Sequence, residues 1–229
     1  RWMDISELAQ GIKPLNPDFV LFDACSMASV EALWEMRDAT RYAIVSAAEI
    51  MIKGFPYRDI VSSLFTNWED LSAVCSCFVS SYEKEQNMPH ATVSLVDMSH
   101  LEGVANAVSK VLSSARKIER SWLNNVDSLQ YYEGITNHVF YDLGDCMTRL
   151  ATDSEALAEF ESAMEQAVLW EGHTAEGYSD YNSSTFPIKR SSGLTVYITR
   201  HNFPVWTDEY AKTEWAKDVG MIQYYKTEK

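Results

Sequence analysis

Cys25 and Asp23 are the residues whose types and spacing could do chemistry together. Both follow a continuously apolar run at 19–22, where a buried strand would end. Open α/β sheets bind ligands beyond the carboxyl ends of their strands, so a thiol and a carboxylate placed there would meet a substrate. The thiolate is the nucleophilic form of cysteine, and the amide of Cys25 could donate to a developing oxyanion. The pattern therefore makes Cys25 a candidate nucleophile.

The residues around Cys25 suggest how each group would act. A helix is predicted at 29–38, and its dipole and free N–H groups would favour a thiolate at Cys25. Asp23 would project on the same face of an extended strand as Cys25. A carboxylate so close disfavours a thiolate, so the predicted use of Asp23 is to receive a cationic substrate group. On spacing alone, a buried small cysteine and a turn-capping aspartate remain the alternative.

Strand and helix patterns alternate around this point, which indicates an α/β fold. Continuous apolarity at 19–22 is typical of a strand buried on both faces of a sheet. Strands are predicted at 19–22, 41–47, 91–97 and 194–199, helices at 4–12, 29–38, 57–87, 99–123, 138–150, 154–170 and 208–217, and a loop or hairpin at 171–192. We expect a core at 1–126 and a smaller, mostly helical subdomain at 127–229 with a strand or hairpin near 194–199.

Charge, apolar stretches and cysteine spacing limit the partners and sites that this chain is expected to have. The chain has 229 residues, 46% hydrophobic residues and a net charge of −14. Such a charge argues against nucleic acid and anionic membrane surfaces as partners, and it suits cationic substrates or simple solubility. No apolar stretch is long enough to predict a membrane span. The cysteine spacing fits no zinc motif, so no metal site is predicted. The chain opens on Arg1, which suggests a processed piece.

A set of ordered motifs surrounds Cys25. The motifs are Phe22-Asp23-Ala24-Cys25, Met27, Val30-Glu31, Ser46 to Glu49, Gly54-Phe55-Pro56-Tyr57 and, later, GLTVYIT at 193–199. Their order and spacing resemble the clostripain family of caspase-like cysteine peptidases. The resemblance implies a caspase-like sheet flanked by helices, with Cys25 as the nucleophile of a Cys–His dyad that cleaves peptide bonds.

The family histidine precedes the cysteine strand, and this chain has no histidine before Cys25. All five histidines lie downstream, and each is interpreted as structural: His90, His100, His138, His173 and His201. The resemblance therefore implies a heavy chain, produced by self-cleavage of a zymogen. A light chain from the same precursor would supply the histidine and several strands, so that this chain forms only part of the sheet.

The resemblance also implies a specificity pocket for Arg or Lys before the cleaved bond. Asp23 matches a pocket residue, and the segment after Glu49, with Met51 and Lys53, is expected to line the pocket. Lys53 stands where an acid is expected, which weakens the case for basic specificity unless its side chain points outward. A solvated loop residue is the alternative for Lys53.

Family resemblance implies further properties that the residues do not determine. Export by a bacterium is expected, the chemistry requires no cofactor, and a link with calcium is implied without identifiable ligands. Two other functions stay open. The chain could be a caspase-like binding protein that has lost its chemistry, or a different cysteine amidohydrolase that uses His173 or His201.

Overall fold

A computed structural model describes residues 3–66, 71–85, 88–115, 125–133, 138–199 and 204–220 of the chain. A four-stranded mixed sheet lies at its centre, in the order β1-β2-β3-β5. β1 runs parallel to β2, whereas β2 with β3 and β3 with β5 are antiparallel pairs. The strands of this sheet are β1 (Phe19–Leu21), β2 (Tyr42–Val45), β3 (Thr92–Asp97) and β5 (Val168–His173).

Helices cover both faces of this sheet, which explains its apolar strands. Ala43 and Val45 of β2 face one hydrophobic cluster, and Ile44 between them faces the other. The helices are α1 (Ile5–Ile12), α2 (Val30–Met36), α3 (Tyr57–Thr66), α4 (Leu71–Glu83), α5 (Leu101–Ala115), α6 (Leu143–Leu150), α7 (Ser154–Ala167), α8 (Pro204–Tyr210) and α9 (Glu214–Asp218). Short 3₁₀ turns span Lys13–Leu15, Met98–His100 and Val126–Ser128. No helix within the described ranges has the length and apolarity that a membrane crossing requires.

The C-terminal part adds two small antiparallel pairs. β4 (Phe140–Asp142) pairs with β8 (Thr195–Tyr197), and β6 (Glu176–Ser179) forms a hairpin with β7 (Ser184–Pro187). The predicted hairpin within 171–192 and the strand within 194–199 are confirmed. The division of the chain at residue 126 stays a prediction, although β5 from the C-terminal part belongs to the central sheet.

Several predicted boundaries were wrong. The segment 138–150 is not one helix, because strand β4 comes first and Asp142 then caps α6 by accepting a hydrogen bond from the amide of Asp145. The helix predicted at 154–170 ends at Ala167, where the chain enters β5. The segment 208–217 holds parts of two short helices. Every residue of β3 is buried, although its sequence alternates.

Candidate active site

Cys25 lies in an exposed turn beyond the carboxyl end of β1. It is the exposed member of the four cysteines. Burial raises the pKa of the Cys75 thiol to about 12 and that of Cys146 further, so these two are unsuited to nucleophilic chemistry. Ser26 follows in the left-handed region at φ 58°, an unusual conformation for serine that is typical of functional turns.

The segment 46–50, which we call the cradle, holds this turn through backbone groups. The amide of Ser26 donates to the carbonyl of Ala48 at 3.0 Å, and that of Ala28 donates to Ser46 O at 3.0 Å. The amide of Ile50 donates to the Cys25 sulfur, with N and Sγ 3.3 Å apart. The cradle therefore fixes both the path of the turn and the surroundings of the thiol.

The Ile50 amide replaces the donor that the sequence suggested. Helix α2 begins at Val30, five residues after Cys25, and Ser29 caps it by accepting a hydrogen bond from the amide of Ala32. A helix dipole acts mainly within its first turn. In this structure the donor to Sγ comes from the cradle, and support of the thiol by the dipole of α2 stays a prediction.

Polar side chains in β3 and just before it form hydrogen bonds with the cradle. Thr92 Oγ1 accepts the amide of Ala48 at 3.0 Å and lies 2.8 Å from the Ser46 hydroxyl. His90 is 1% exposed, and its Nε2 lies 2.6 Å from the carbonyl oxygen of Glu49. The amide of Tyr178 donates to His90 Nδ1 at 2.8 Å.

These contacts determine the protonation of His90. A backbone amide can only donate, so Nδ1 carries no proton and Nε2–H donates to Glu49 O. Burial also lowers the pKa of His90, which keeps the ring neutral. Both ring nitrogens are engaged, so the interpretation of His90 as structural, and not as a catalytic base, agrees with its contacts.

The carboxylate of Glu49 ties the cradle to the β6–β7 hairpin. It accepts hydrogen bonds from the Ser179 hydroxyl and from the amide of Asp180, the latter at 3.1 Å. Together with the bond from Tyr178 to His90, these contacts make the hairpin a support of the cradle.

Asp23 lies two residues before Cys25 and is also exposed. The hydroxyl of Tyr57 donates to its Oδ2 at 2.8 Å, and the pKa of Tyr57 rises to about 12 through burial and this bond. Gly54 packs against the same carboxylate in the left-handed region, at φ 64°. A Cβ at Gly54 would lie 2.6 Å from Asp23 Oδ2, so the close approach requires glycine.

The other two predicted pocket residues, Met51 and Lys53, have contacts of their own. Lys53 is exposed and forms an ion pair with Glu85, and its Nζ lies 5.8 Å from the centroid of the Tyr82 ring. Met51 is 7% exposed and packs in the hydrophobic cluster on the α4 side of the sheet. Their part in substrate binding stays a prediction.

The remaining histidines have other contacts. His138 stacks on Tyr131 with ring centroids 3.5 Å apart, and Nδ1 of His173 lies 2.9 Å from Thr174 O. His100 ends the 3₁₀ turn before α5, and His201 lies outside the described residues. Within the described part of the chain, the hydrogen-bond partners of the Cys25 thiol are both backbone groups of Ile50.

Three contacts of this site were not predicted from the sequence: Ile50 to Cys25, Tyr57 to Asp23, and His90 to Glu49. Backbone donors leave no trace in residue types, so Ile50 was not detectable. Tyr57 stands in a recognised motif, but its partner lies 34 residues away. A histidine just before an apolar strand was the available signal for His90, because burial there demands partners for both nitrogens.

Comparison with known proteins decides the family. The family model described as the clostripain family matches residues 1–227. The chain belongs to the clostripain family. The resemblance drawn from the motifs around Cys25 is thereby confirmed. Membership of this family identifies the protein as a clostripain-family cysteine peptidase. A search of curated proteins found no match.

Solved clostripain-family structures share the fold. A clostripain from Bacteroides thetaiotaomicron, in complex with the peptide inhibitor BTN-VLTK-AOMK, is 27% identical, with a TM-score of 0.84 and 95% of each chain covered. An inactive zymogen from Parabacteroides distasonis is 30% identical (TM-score 0.83), over 95% of this chain and 62% of that one. A secreted protease from B. thetaiotaomicron is 28% identical (TM-score 0.84), over 94% of this chain and 60% of that one.

Proposed function

We propose that this clostripain-family member is the heavy chain of a cysteine endopeptidase that cleaves after Arg or Lys, with Cys25 as its nucleophile. One observation carries the proposal. The exposed thiol of Cys25 and the exposed carboxylate of Asp23 lie two residues apart at one edge of the sheet, and the cradle holds the thiol. A peptide whose basic side chain reached Asp23 would bring the carbonyl group of that same basic residue close to the sulfur.

The reaction follows from these groups. The histidine of the dyad takes the proton of the Cys25 thiol as Sγ attacks the scissile carbonyl carbon, and the oxyanion of the tetrahedral species accepts a hydrogen bond from the Cys25 amide. The C–N bond then breaks, the leaving amine takes a proton from the histidine, and a thioester remains. Water hydrolyses the thioester, which releases the acid and restores the thiol. The family resemblance implies a histidine that precedes the cysteine strand, and the proposal assigns this histidine to a light chain.

One observation supports a light chain from the same precursor. Within the described residues, β1 pairs only with β2, so its other edge has room for strands of a caspase-like sheet. The heavy chain would then supply part of that sheet.

Basic specificity rests on Asp23 and on the placement of Lys53. Glu85 pairs with Lys53, so the charge of the lysine is balanced by a carboxylate other than Asp23. The relative with 27% identity was solved with an inhibitor whose peptide portion, VLTK, ends in lysine. Met51 and Lys53 would contribute the backbone of the pocket wall, where the carbonyl of Met51 accepts the amide of Gly54 at 2.7 Å.

The chemistry uses no cofactor. For calcium, no three His, Cys, Asp or Glu side chains converge to form a site within the described ranges, and no step is routed through the ion. Since a relative is secreted, we include export of this protein in the proposal.

Fluorogenic peptides ending in Arg, Lys or Asn test the proposal on the mature protein. Cys25→Ser should abolish turnover, whereas Cys77→Ser, a matched control at a half-buried thiol, should leave it unchanged. Asp23→Asn should lower kcat/KM for Arg and Lys peptides about 100-fold, because a charged partner of the substrate is lost.

Intact-mass analysis of the purified protein tests the light chain and should find a second fragment. A single species that fails to react with a lysine chloromethyl ketone would favour a silent binding protein, and turnover by Cys25→Ser would refute the nucleophile.

A further inference from the structure

One peptide group, between Glu49 and Ile50, links a buried histidine to the thiol. Its carbonyl oxygen accepts a hydrogen bond from Nε2–H of His90 at 2.6 Å, and its N–H donates to Sγ of Cys25 at 3.3 Å. A trans peptide group is planar, with C=O and N–H pointing in opposite directions. Whatever fixes the direction of the Glu49 carbonyl therefore also fixes the direction of the Ile50 amide.

His90 is a well-fixed donor for this purpose. The amide of Tyr178 donates to Nδ1 at 2.8 Å, so the tautomer with a proton on Nε2 is set by the backbone of the β6–β7 hairpin. The ring is 1% exposed, and Phe186 from the same hairpin packs near it, with ring centroids 6.4 Å apart. Solvent therefore does not compete for either nitrogen.

We propose that His90 is a positioning residue that orients the peptide group between Glu49 and Ile50, so that the Ile50 amide stays on the sulfur of Cys25. The inference rests on the proposed role of Cys25 as nucleophile. Without the donor on His90, the peptide group gains freedom to rotate. Rotation would turn the carbonyl of Glu49 towards the sulfur, where its partial negative charge opposes a thiolate.

Two substitutions separate positioning from filling the core. His90→Gln can keep a donor near the place of Nε2, and His90→Asn can keep an acceptor near the place of Nδ1. Each variant loses one of the two hydrogen bonds, so their stabilities to urea should be similar. Only the asparagine variant loses the bond that orients the peptide group.

The measurement is the rate of Cys25 alkylation by iodoacetamide in the folded mature protein, with the modified peptide identified by mass spectrometry. His90→Asn should alkylate Cys25 about tenfold more slowly than the wild type, the equivalent of one good hydrogen bond, and His90→Gln should stay within about threefold. With peptide substrates, kcat should fall in the asparagine variant while KM stays unchanged. Equal rates in the two variants would overturn the proposal.

A further measurement needs no variant that could fail to fold. In the ¹⁵N spectrum of the wild-type protein, His90 should be neutral with its proton on Nε2, and the Ile50 amide should shift when Cys25 is alkylated. A proton on Nδ1, or an Ile50 amide indifferent to alkylation, would overturn the proposal. Alkylation reports on the thiol itself, so a failure of the peptidase assignment would appear separately, as turnover by Cys25→Ser.

Discussion

Asp23, at the exposed edge of the sheet, and Asp142, at the end of β4, are both aspartates beside hydrogen-bond donors, but their surroundings differ. Within the described residues Asp23 accepts one hydrogen bond, from Tyr57. Asp142 is 1% exposed and accepts four, from the amide of Asp145, the hydroxyl of Tyr132, and the amide and hydroxyl of Ser192.

The neighbours of Asp142 extend this contrast. Asp145, also buried, accepts the amide of Gln130 at 2.8 Å and pairs with Arg190 and Arg149. We call Asp142 and Asp145 with these partners the carboxylate cluster. Its acids hold a helix start, a strand and two loops together, so their capacity to accept is consumed by the fold. Asp23 retains capacity to accept hydrogen bonds at an exposed edge, which is what its proposed role in substrate binding requires.

The largest effect that tests this contrast is on stability. Asp142→Ala should lower the free energy of unfolding by about 3–5 kcal/mol, because it removes a buried acceptor of four hydrogen bonds, including those from Tyr132 and Ser192. Urea unfolding measures the change. Asp153→Ala is the matched control, since Asp153 caps α7 from an exposed position and should cost about 1 kcal/mol. Equal losses in the two variants would show that burial of Asp142 carries no special weight.

The next largest expected effect is a change of folding stability with pH. Its source is Glu31, which belongs with Asp142 on the buried side of the comparison. Its carboxylate accepts the amide of Tyr197 in β8 at 3.0 Å, and burial raises its pKa from 4.5 to about 7. The folded state therefore binds more protons than the unfolded state between these values, so stability falls as pH rises from about 4.5 to 7. The loss should reach about 2–3 kcal/mol.

Glu31→Gln should flatten this slope, because glutamine keeps the acceptor and cannot ionise. Urea unfolding at a series of pH values checks the result, and Glu102→Gln on an exposed surface of α5 serves as the control. A slope that persists in Glu31→Gln would assign the pH dependence to other groups.

Gly54→Ala tests the exposed side of the contrast. The left-handed backbone and the 2.6 Å approach to Asp23 should together cost about 1–2 kcal/mol of stability. They should also lower kcat/KM for Arg peptides about tenfold, because Asp23 is displaced. Gly103→Ala is the control, since a Cβ there meets nothing within 4 Å in helix α5 and should leave activity unchanged. Full activity of Gly54→Ala would mean that the position of Asp23 is not critical.

The smallest effect is expected at Lys53. Its ion pair with Glu85 is exposed, so Lys53→Gln should change stability by less than about 1 kcal/mol. If the lysine is directed away from Asp23, kcat/KM for Arg peptides should stay within about twofold of the wild type. A tenfold gain in kcat/KM would instead show that the Lys53 charge lies in the pocket and opposes the attraction of Asp23 for a basic side chain.

The sequence predicted the elements of this molecule better than their contacts. The apolar runs at 19–22 and 41–47 predicted β1 and β2, because a strand buried on both faces has a distinctive composition. The motifs around Cys25 predicted the family. The Ile50 donor was beyond reach, because it is a backbone group brought to the sulfur by the path of the cradle. The prediction of a single helix at 138–150 was wrong for a related reason. Asp142 both ends strand β4 and caps helix α6, and its residue type alone does not reveal this double role.

Within the described residues one edge of β1 is unpaired, which bears on how the protein is best produced. An edge strand with unpaired N–H and C=O groups is a template on which other chains can add, and apolar edges of this kind promote aggregation. β1 reads Phe-Val-Leu and carries no charge within its three residues. If the proposed light chain covers this edge, production of this chain alone should favour inclusion bodies, and synthesis together with the light chain should increase the soluble yield.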